Sequence, residues 1–314
     1  MGADLPAFDG GSDPGGSPAR DPLTWVFFGR EGLRSGWRLA IYLVTIVAIG
    51  FALRWLVLSV WKYPFGQMSP ATLLVGECIG FFTVASGALV MSRLEKRPPG
   101  AYGLPARAAF GKYFWQGVLW GLGEISVLIL LIAAFRGYSF GQIALDGYEA
   151  FRWGVFWGIL FVLVGLFEEF AFRGYTQYTL ASGIGFWPAA AILSALFGAV
   201  HLGNKGEGWV GALGAGIIGL FFCLTLRRTG NLWFAVGMHA SFNWGQTFFF
   251  SVPNSGMTPQ GHLSNAALHG PRWLTGGTVG PEGSVFCFLT IALLFLLFLR
   301  FYPPQRPPGQ EGPA

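Results

Sequence analysis

Glu168, Glu169 and Arg173 stand in the stretch "GLFEEFAFRGYTQ", one of the most apolar runs of the chain. An ionisable side chain at the centre of an apolar helix costs about 2.5–3.5 kcal/mol on insertion scales, so those that persist face a partner or a cavity. At about 100° per residue, Glu169 and Arg173 are four apart and share a helix face, where they can pair within one turn. Glu168 points about 140° away from Arg173 on the same geometry and lacks that partner. Glu169 and Arg173 then serve as support and Glu168 is left for chemistry. The alternative is that both carboxylates are structural, hydrogen-bonded to other helices.

Two further places repeat the four-residue spacing. "FGAVH" sets Phe197 one turn before His201, an apolar neighbour that keeps the imidazole neutral and able to accept a proton. "HASFN" sets His239 one turn before Asn243, so an imidazole N–H and an amide can aim at one spot, as two donors to an oxyanion must. Each histidine alone is more often a satisfied packing residue; together with a lone glutamate and an asparagine the set suggests a reaction. A carboxylate and an imidazole can hold a water and take its proton, while donors opposite stabilise the tetrahedral oxyanion of an amide under attack. Ser241 faces the opposite side of its helix from His239, which makes a serine nucleophile the weaker arrangement.

These side chains need helices in an apolar solvent to hold them. The chain has 314 residues, 53% hydrophobic and 11% charged, against roughly 25% charged in soluble domains, which predicts a membrane protein. Eight apolar segments can span or enter a bilayer: 37–61, 71–94, 113–135, 153–180, 186–203, 208–227, 231–251 and 283–302. Thirteen Lys and Arg fall on one side of these segments and five on the other, which predicts that both termini are cytoplasmic. No strand-like alternation of about ten residues recurs, so the expected fold class is all-α, a polytopic transmembrane helical bundle of about eight helices. On these boundaries His239 lies about 12 Å and His201 about 22 Å from the cytoplasmic ends of their helices, at about 1.5 Å per residue. For the two to meet, the fifth segment must tilt or end elsewhere.

Residues 1–22 are rich in Gly, Pro and Asp and lack the basic start and apolar core of a signal peptide, so they read as a disordered tail; 303–314 read likewise, leaving 23–302 as one helical domain. Cys78, Cys223 and Cys287 show no CxxC spacing and read as small hydrophobes. The basic residues lie between apolar runs instead of forming one basic face, which argues against nucleic acid as a partner. The loop 252–282 is long enough to cap a site.

The three stretches resemble the signature of the CAAX prenyl protease and bacteriocin-processing family (CPBP, Abi) of intramembrane glutamic endopeptidases. In that family E-E-x-x-x-R, F-x-x-x-H and H-x-x-x-N or D follow in order on consecutive apolar segments. Here they stand as Glu168 to Arg173, Phe197 to His201 and His239 to Asn243, without a departure. The resemblance implies that Glu168 and His201 activate the attacking water and that His239 with Asn243 form the oxyanion pocket. Glu169 and Arg173 would support them. It implies no cofactor, membrane lipid around the chain, and a hydrophobic or lipidated peptide as substrate. The eukaryotic members remove the last three residues of prenylated CAAX sequences, and prokaryotic members act on varied substrates. The expected location is a bacterial cytoplasmic membrane.

Two other functions fit the same residues. Glu168, His201 and His239 could be three ligands of a catalytic zinc, although no H-E-x-x-H pair occurs. A non-catalytic membrane module, such as a regulator or immunity protein, could use the same cavity to bind a partner. Glu77 and Glu124 are expected to pair within the bundle or lie near an interface, outside the site.

Overall fold

The computed structural model describes residues 26–29, 32–61, 69–204, 206–258 and 260–304. Tail 1–22, residues 305–314 of the C-terminal tail, and Lys62 and Lys205 lie outside them.

Apolar composition over lengths near 20 residues makes helices here, because a backbone among lipid tails must satisfy its own N–H and C=O groups. Helix α1 spans Ser35–Val60, α2 Pro70–Leu94, α3 Lys112–Ala134 and α4 Gly147–Arg173. They are followed by α5 at Tyr175–Ile184, α6 at Phe186–His201, α7 at Trp209–Thr229, α8 at Trp233–Trp244 and α9 at Val285–Phe301. Each of the eight expected segments contains a helix, and the chain is an all-α bundle. Five stretches among the described residues are long and apolar enough to cross a membrane: α1, α2, α3, α4 with α5, and α7. Helices α6 and α9 are shorter apolar helices, and α8 runs on as one π turn over Gly245–Phe249. The two small antiparallel ribbons, Phe28–Gly29 with Gly32–Leu33 and Tyr138–Ser139 with Ala267–Leu268, lie outside the bundle helices.

The fourth segment, expected as one helix over 153–180, is divided. Helix α4 stops at Arg173, and Gly174 has ψ −123°, outside the helical region. A Cβ there would strike the carbonyl oxygen of Phe170, so a side chain is excluded at the bend. Gly185 at φ +89° then turns the chain into α6, a conformation open to glycine. The fifth segment ends at His201, two residues short of the expected boundary at 203. His201 is therefore the last residue of α6, at the start of the loop.

Helix α8 is the centre of the bundle, with Trp233 to Met238 all buried. It is held by close backbone approach. Gly117 and Gly121 of α3 lie four apart on one face, and a Cβ at either would collide with the Phe234 or Met238 carbonyl of α8. Gly237 of α8 answers against the Phe114 carbonyl of α3. Such small-residue contacts are how helices associate where the solvent is as apolar as the core. On the far side of α8, Gly165 of α4 brings its helix close to the Val236 carbonyl. Helices α6 and α7 pack through Gly198 and Gly216. Helix α1 buries Tyr42 alone, while its Val44, Phe51 and Trp55 are each 71% exposed, as suits an outer helix facing lipid.

The two ends of the bundle are closed differently. At the end that carries Arg38 and the start of α3, Glu95 accepts from the Arg38 guanidinium at 2.9 and 3.0 Å, from Tyr102 at 3.2 Å and from Tyr175 at 2.5 Å. This joins α1, α2 and α5. At the other end the loop 250–284 interlocks with the loops before α4 and α7. Ala144 and Leu145 donate to the Leu263 carbonyl, and Thr278 Oγ donates to the Gly206 carbonyl.

If α8 depends on backbone approach at Gly121, then Gly121→Val lowers stability by about 1–3 kcal/mol through overpacking. Gly123→Val, whose Cβ would meet nothing within 4 Å, changes it by no more than about 0.5 kcal/mol. Thermal unfolding of the purified protein in detergent reads both.

Candidate active site

Near the C-terminal end of α4 the buried charges form a connected set. Glu169, wholly buried, accepts from Arg173 Nη1 at 3.3 Å and lies 2.9 Å from His239 Nδ1. The Arg173 guanidinium, also buried, lies 4.3 Å over the Phe197 ring and 5.8 Å from that of Phe222. Its Nε and Nη2 find no hydrogen-bond partner among the described residues, and the two aromatic faces take that role by cation–π attraction. Gly219 of α7 leaves room for this guanidinium, since a Cβ there would strike Nη2.

The sequence reading gave Glu169 to Arg173 alone, yet the same carboxylate also orients His239, seventy residues away. A carboxylate only accepts, so Nδ1 carries a proton and Nε2 is the nitrogen left for the cavity. Nε2 lies 3.8 Å from Glu168 Oε2. The imidazole is further fixed by stacking on Phe222 at 5.8 Å and 14°. With Nδ1 committed, His239 can donate into the cavity only as imidazolium, and Glu168 and Glu169 supply the countercharge for that form.

His201 is settled by the same logic. Its Nδ1 is 2.7 Å from the Phe197 carbonyl, one turn back, which can only accept. Nδ1 is the protonated nitrogen of the neutral ring, and Nε2 is free to take a proton. The Phe197 ring meets the imidazole edge to face at 4.6 Å.

A cavity of about 350 Å³ lies between α2, α3, α4, α6, α7, α8 and α9, and Glu168, His201, His239 and Asn243 all line it. The difference in depth drawn from the sequence does not keep the two histidines apart. Among the described residues, Glu168 Oε2 is buried without a hydrogen-bond partner and Asn243 makes no hydrogen bond. Both are therefore available to a ligand or water in that space. Ser241 is turned away: it is buried, donates to the Met238 carbonyl at 3.1 Å and packs against Gly121 of α3. The loop 250–284 contributes Asn254, Ser255, Met257 and Glu282 to the cavity wall. Burial pushes the Glu282 carboxyl up to about 7, against the opposing pull of hydrogen bonds from Gln246 and the Ser255 N–H.

Glu77 and Glu124, expected outside the site, line the cavity as well, and neither has a hydrogen bond or salt bridge among the described residues. Glu77 is within electrostatic reach of Glu168 and His239. The signal for Glu124 was its place three residues after Gly121, on the face of α3 turned toward α8. Among the described residues, no three of His, Cys, Asp or Glu gather as a metal site. Glu168, His201 and His239 share the cavity without forming such a group. The three cysteines are free.

Residues 150–245, from the start of α4 to the end of α8, match the family model described as Type II CAAX prenyl endopeptidase Rce1-like. This is the family that the three motifs resemble. No curated protein and no solved structure is similar enough to match. The matched stretch, similar to a family of endopeptidases, contains four of the cavity-lining helices, and the long apolar helices make the chain a multi-pass membrane protein.

The buried ion pair yields a stability test. Arg173→Met leaves the Glu169 charge without its guanidinium and lowers stability by about 3–5 kcal/mol, whereas Glu169→Gln with Arg173→Met recovers most of that loss. Unfolding of the purified variants in detergent checks both values.

Proposed function

We propose that the protein hydrolyses a peptide bond inside the membrane with a water activated by Glu168 and His201. The observation that carries this reading is the convergence of an unpartnered carboxyl oxygen, a histidine with a free Nε2 and an unpartnered amide on one cavity. The scissile carbonyl lies in the cavity with the water held between Glu168 and His201. The water oxygen attacks the carbonyl carbon as its proton passes to Glu168 or to His201 Nε2.

The negative charge that develops on the carbonyl oxygen meets His239 Nε2–H and the Asn243 amide. These donors are set before the reaction, because Glu169 holds the imidazole and one helical turn fixes the spacing to Asn243. The proton taken from water then passes to the departing amine. Glu169 and Arg173 act through His239 and do not touch the substrate. No metal enters this scheme.

The substrate is a hydrophobic peptide or protein reached within the bilayer, a lipidated CAAX-type chain being one member of that class. Both termini are assigned to the cytoplasm on the distribution of Lys and Arg. A binding module would need the cavity but not a free base beside an oxyanion pocket.

Cleavage of a hydrophobic reporter peptide by the purified protein decides between these roles. Glu168→Gln abolishes turnover while leaving the unfolding midpoint near that of the wild type, and Asn243→Ala lowers kcat by about 10²–10³-fold. Turnover persists after exhaustive chelation. Loss of activity on chelation, restored by zinc, overturns the metal-free scheme, and full biological function of Glu168→Gln favours the binding role.

A further inference from the structure

Helix α8 carries both proposed oxyanion donors, but its two halves are held by different means. Up to Met238 the helix is buried and its backbone lies against the glycines of α3. Asn243 stands beyond that stretch, in the last turn before the helix widens into the π turn at Gly245–Phe249. A single π turn in an α-helix is rare and occurs chiefly at functional sites, and here side chains hold it.

Gln246 is the main one. It is fully buried, and its Nε2 donates to the Pro253 carbonyl at 2.6 Å and to Glu282 Oε2 at 2.7 Å. Two acceptors on one side of the amide settle which end is nitrogen. Its Oε1 has no hydrogen-bond partner among the described residues, so the grip on this side chain comes through Nε2. Glu282 also accepts from the Ser255 N–H at 3.1 Å and from Ser255 Oγ at 3.4 Å. Asn254 Nδ2 donates to Thr247 Oγ1 at 3.0 Å, and the Trp244 indole ties the same stretch to α4 through the Gly154 carbonyl at 2.9 Å.

Glu282 is itself anchored. It lies just before Ser284, which caps α9 by accepting from the Phe286 N–H and donates to the Leu274 carbonyl at 2.7 Å. Gly280, at φ +109°, delivers it, and a Cβ there would strike the Pro253 carbonyl. The carboxylate therefore braces the end of α8 against the start of α9.

We propose that Glu282 is a positioning residue for the reaction, acting through Gln246 and the π turn to aim the Asn243 amide at the oxyanion. This rests on the endopeptidase reading above and adds to it a residue outside the three motifs. A hydrogen bond weakens steeply once misaligned, so a donor to developing charge contributes fully at one direction and separation only. Without the brace the last turn of α8 relaxes and the amide loses its aim. His239, one turn earlier, keeps its own because Glu169 holds it.

Cleavage of the hydrophobic reporter peptide by full-length protein in detergent tests this at about pH 8, where Glu282, its carboxyl pushed up to about 7 by burial, is ionised. Glu282→Ala lowers kcat about tenfold and leaves KM within about twofold, as expected when an interaction made only in the transition state is lost. Gln246→Met gives the same loss, and the two together give no more. In an Asn243→Ala background Glu282→Ala lowers kcat no further, because the hydrogen bond it aims is already gone. Glu282→Gln keeps one acceptor oxygen, shows a smaller loss, and carries the same comparison where the alanine variant does not fold.

Equal fold losses in the two backgrounds, or a rise in KM with kcat unchanged, overturn the proposal. Hydrogen exchange of the amides over 241–249 reads the brace without turnover: it quickens in Glu282→Ala, and unchanged exchange also overturns the proposal. A wild type that cleaves nothing, with exchange quickened by Glu282→Ala, sinks the endopeptidase reading and keeps the brace. Turnover with equal losses in the two backgrounds does the reverse.

Discussion

The interaction on which this structure depends is one carboxylate shared by a guanidinium and an imidazole. Glu169 is wholly buried, and it holds both Arg173, one turn along the same helix, and His239 on a neighbouring one. A buried charge with one partner is poorly compensated, and breaking such a pair is strongly destabilising. The arrangement closes because Arg173 also lies over aromatic rings and because the imidazole can carry a second proton opposite Glu168. Its functional result is that His239 is fixed through Nδ1, so a nitrogen of known chemistry faces the cavity.

That carboxylate could not reach the imidazole unless α4 and α8 ran close together. Glycines achieve this: Gly165 brings α4 to the α8 backbone, and Gly117, Gly121 and Gly237 bring α3 to the other side of it. Gly219 opens the space in α7 that Arg173 fills. The bend at Gly174 then ends α4 one residue after Arg173, and the chain turns back through α5 into α6, which delivers His201. Packing of small residues and placement of charge are thus one construction, since each charge is compensated only at the separations that the glycines permit.

Much of the fold was legible in the sequence because lipid imposes a simple rule: apolar runs near 20 residues become helices. The local pairs were legible for the same kind of reason, since Glu169 with Arg173, Phe197 with His201 and His239 with Asn243 each lie four apart on one helix. What spacing along a helix cannot show is contact between helices. The bond from Glu169 to His239 joins segments seventy residues apart. The turn of Glu77 and Glu124 toward the cavity is decided by how α2 and α3 are rotated in the bundle. For Glu124 the sequence held a sign, because Gly117 and Gly121 mark the face of α3 that packs on α8 and Glu124 continues it. The division of the fourth segment turned on Gly174, which in an apolar run is easily taken for a tolerated small residue.

The proposed reaction has one geometric requirement above the rest: a tetrahedral carbon must fit between two pairs of side chains, one pair for the water and one for the oxyanion. A high-resolution structure with a bound peptide in which a gem-diol replaces the scissile amide measures this directly. The account predicts one diol oxygen within about 3.2 Å of both Glu168 and His201 Nε2, and the other within that distance of His239 Nε2 and the Asn243 amide. A diol that lies against other residues, or that bridges Glu168, His201 and His239 through a metal ion, would contradict it.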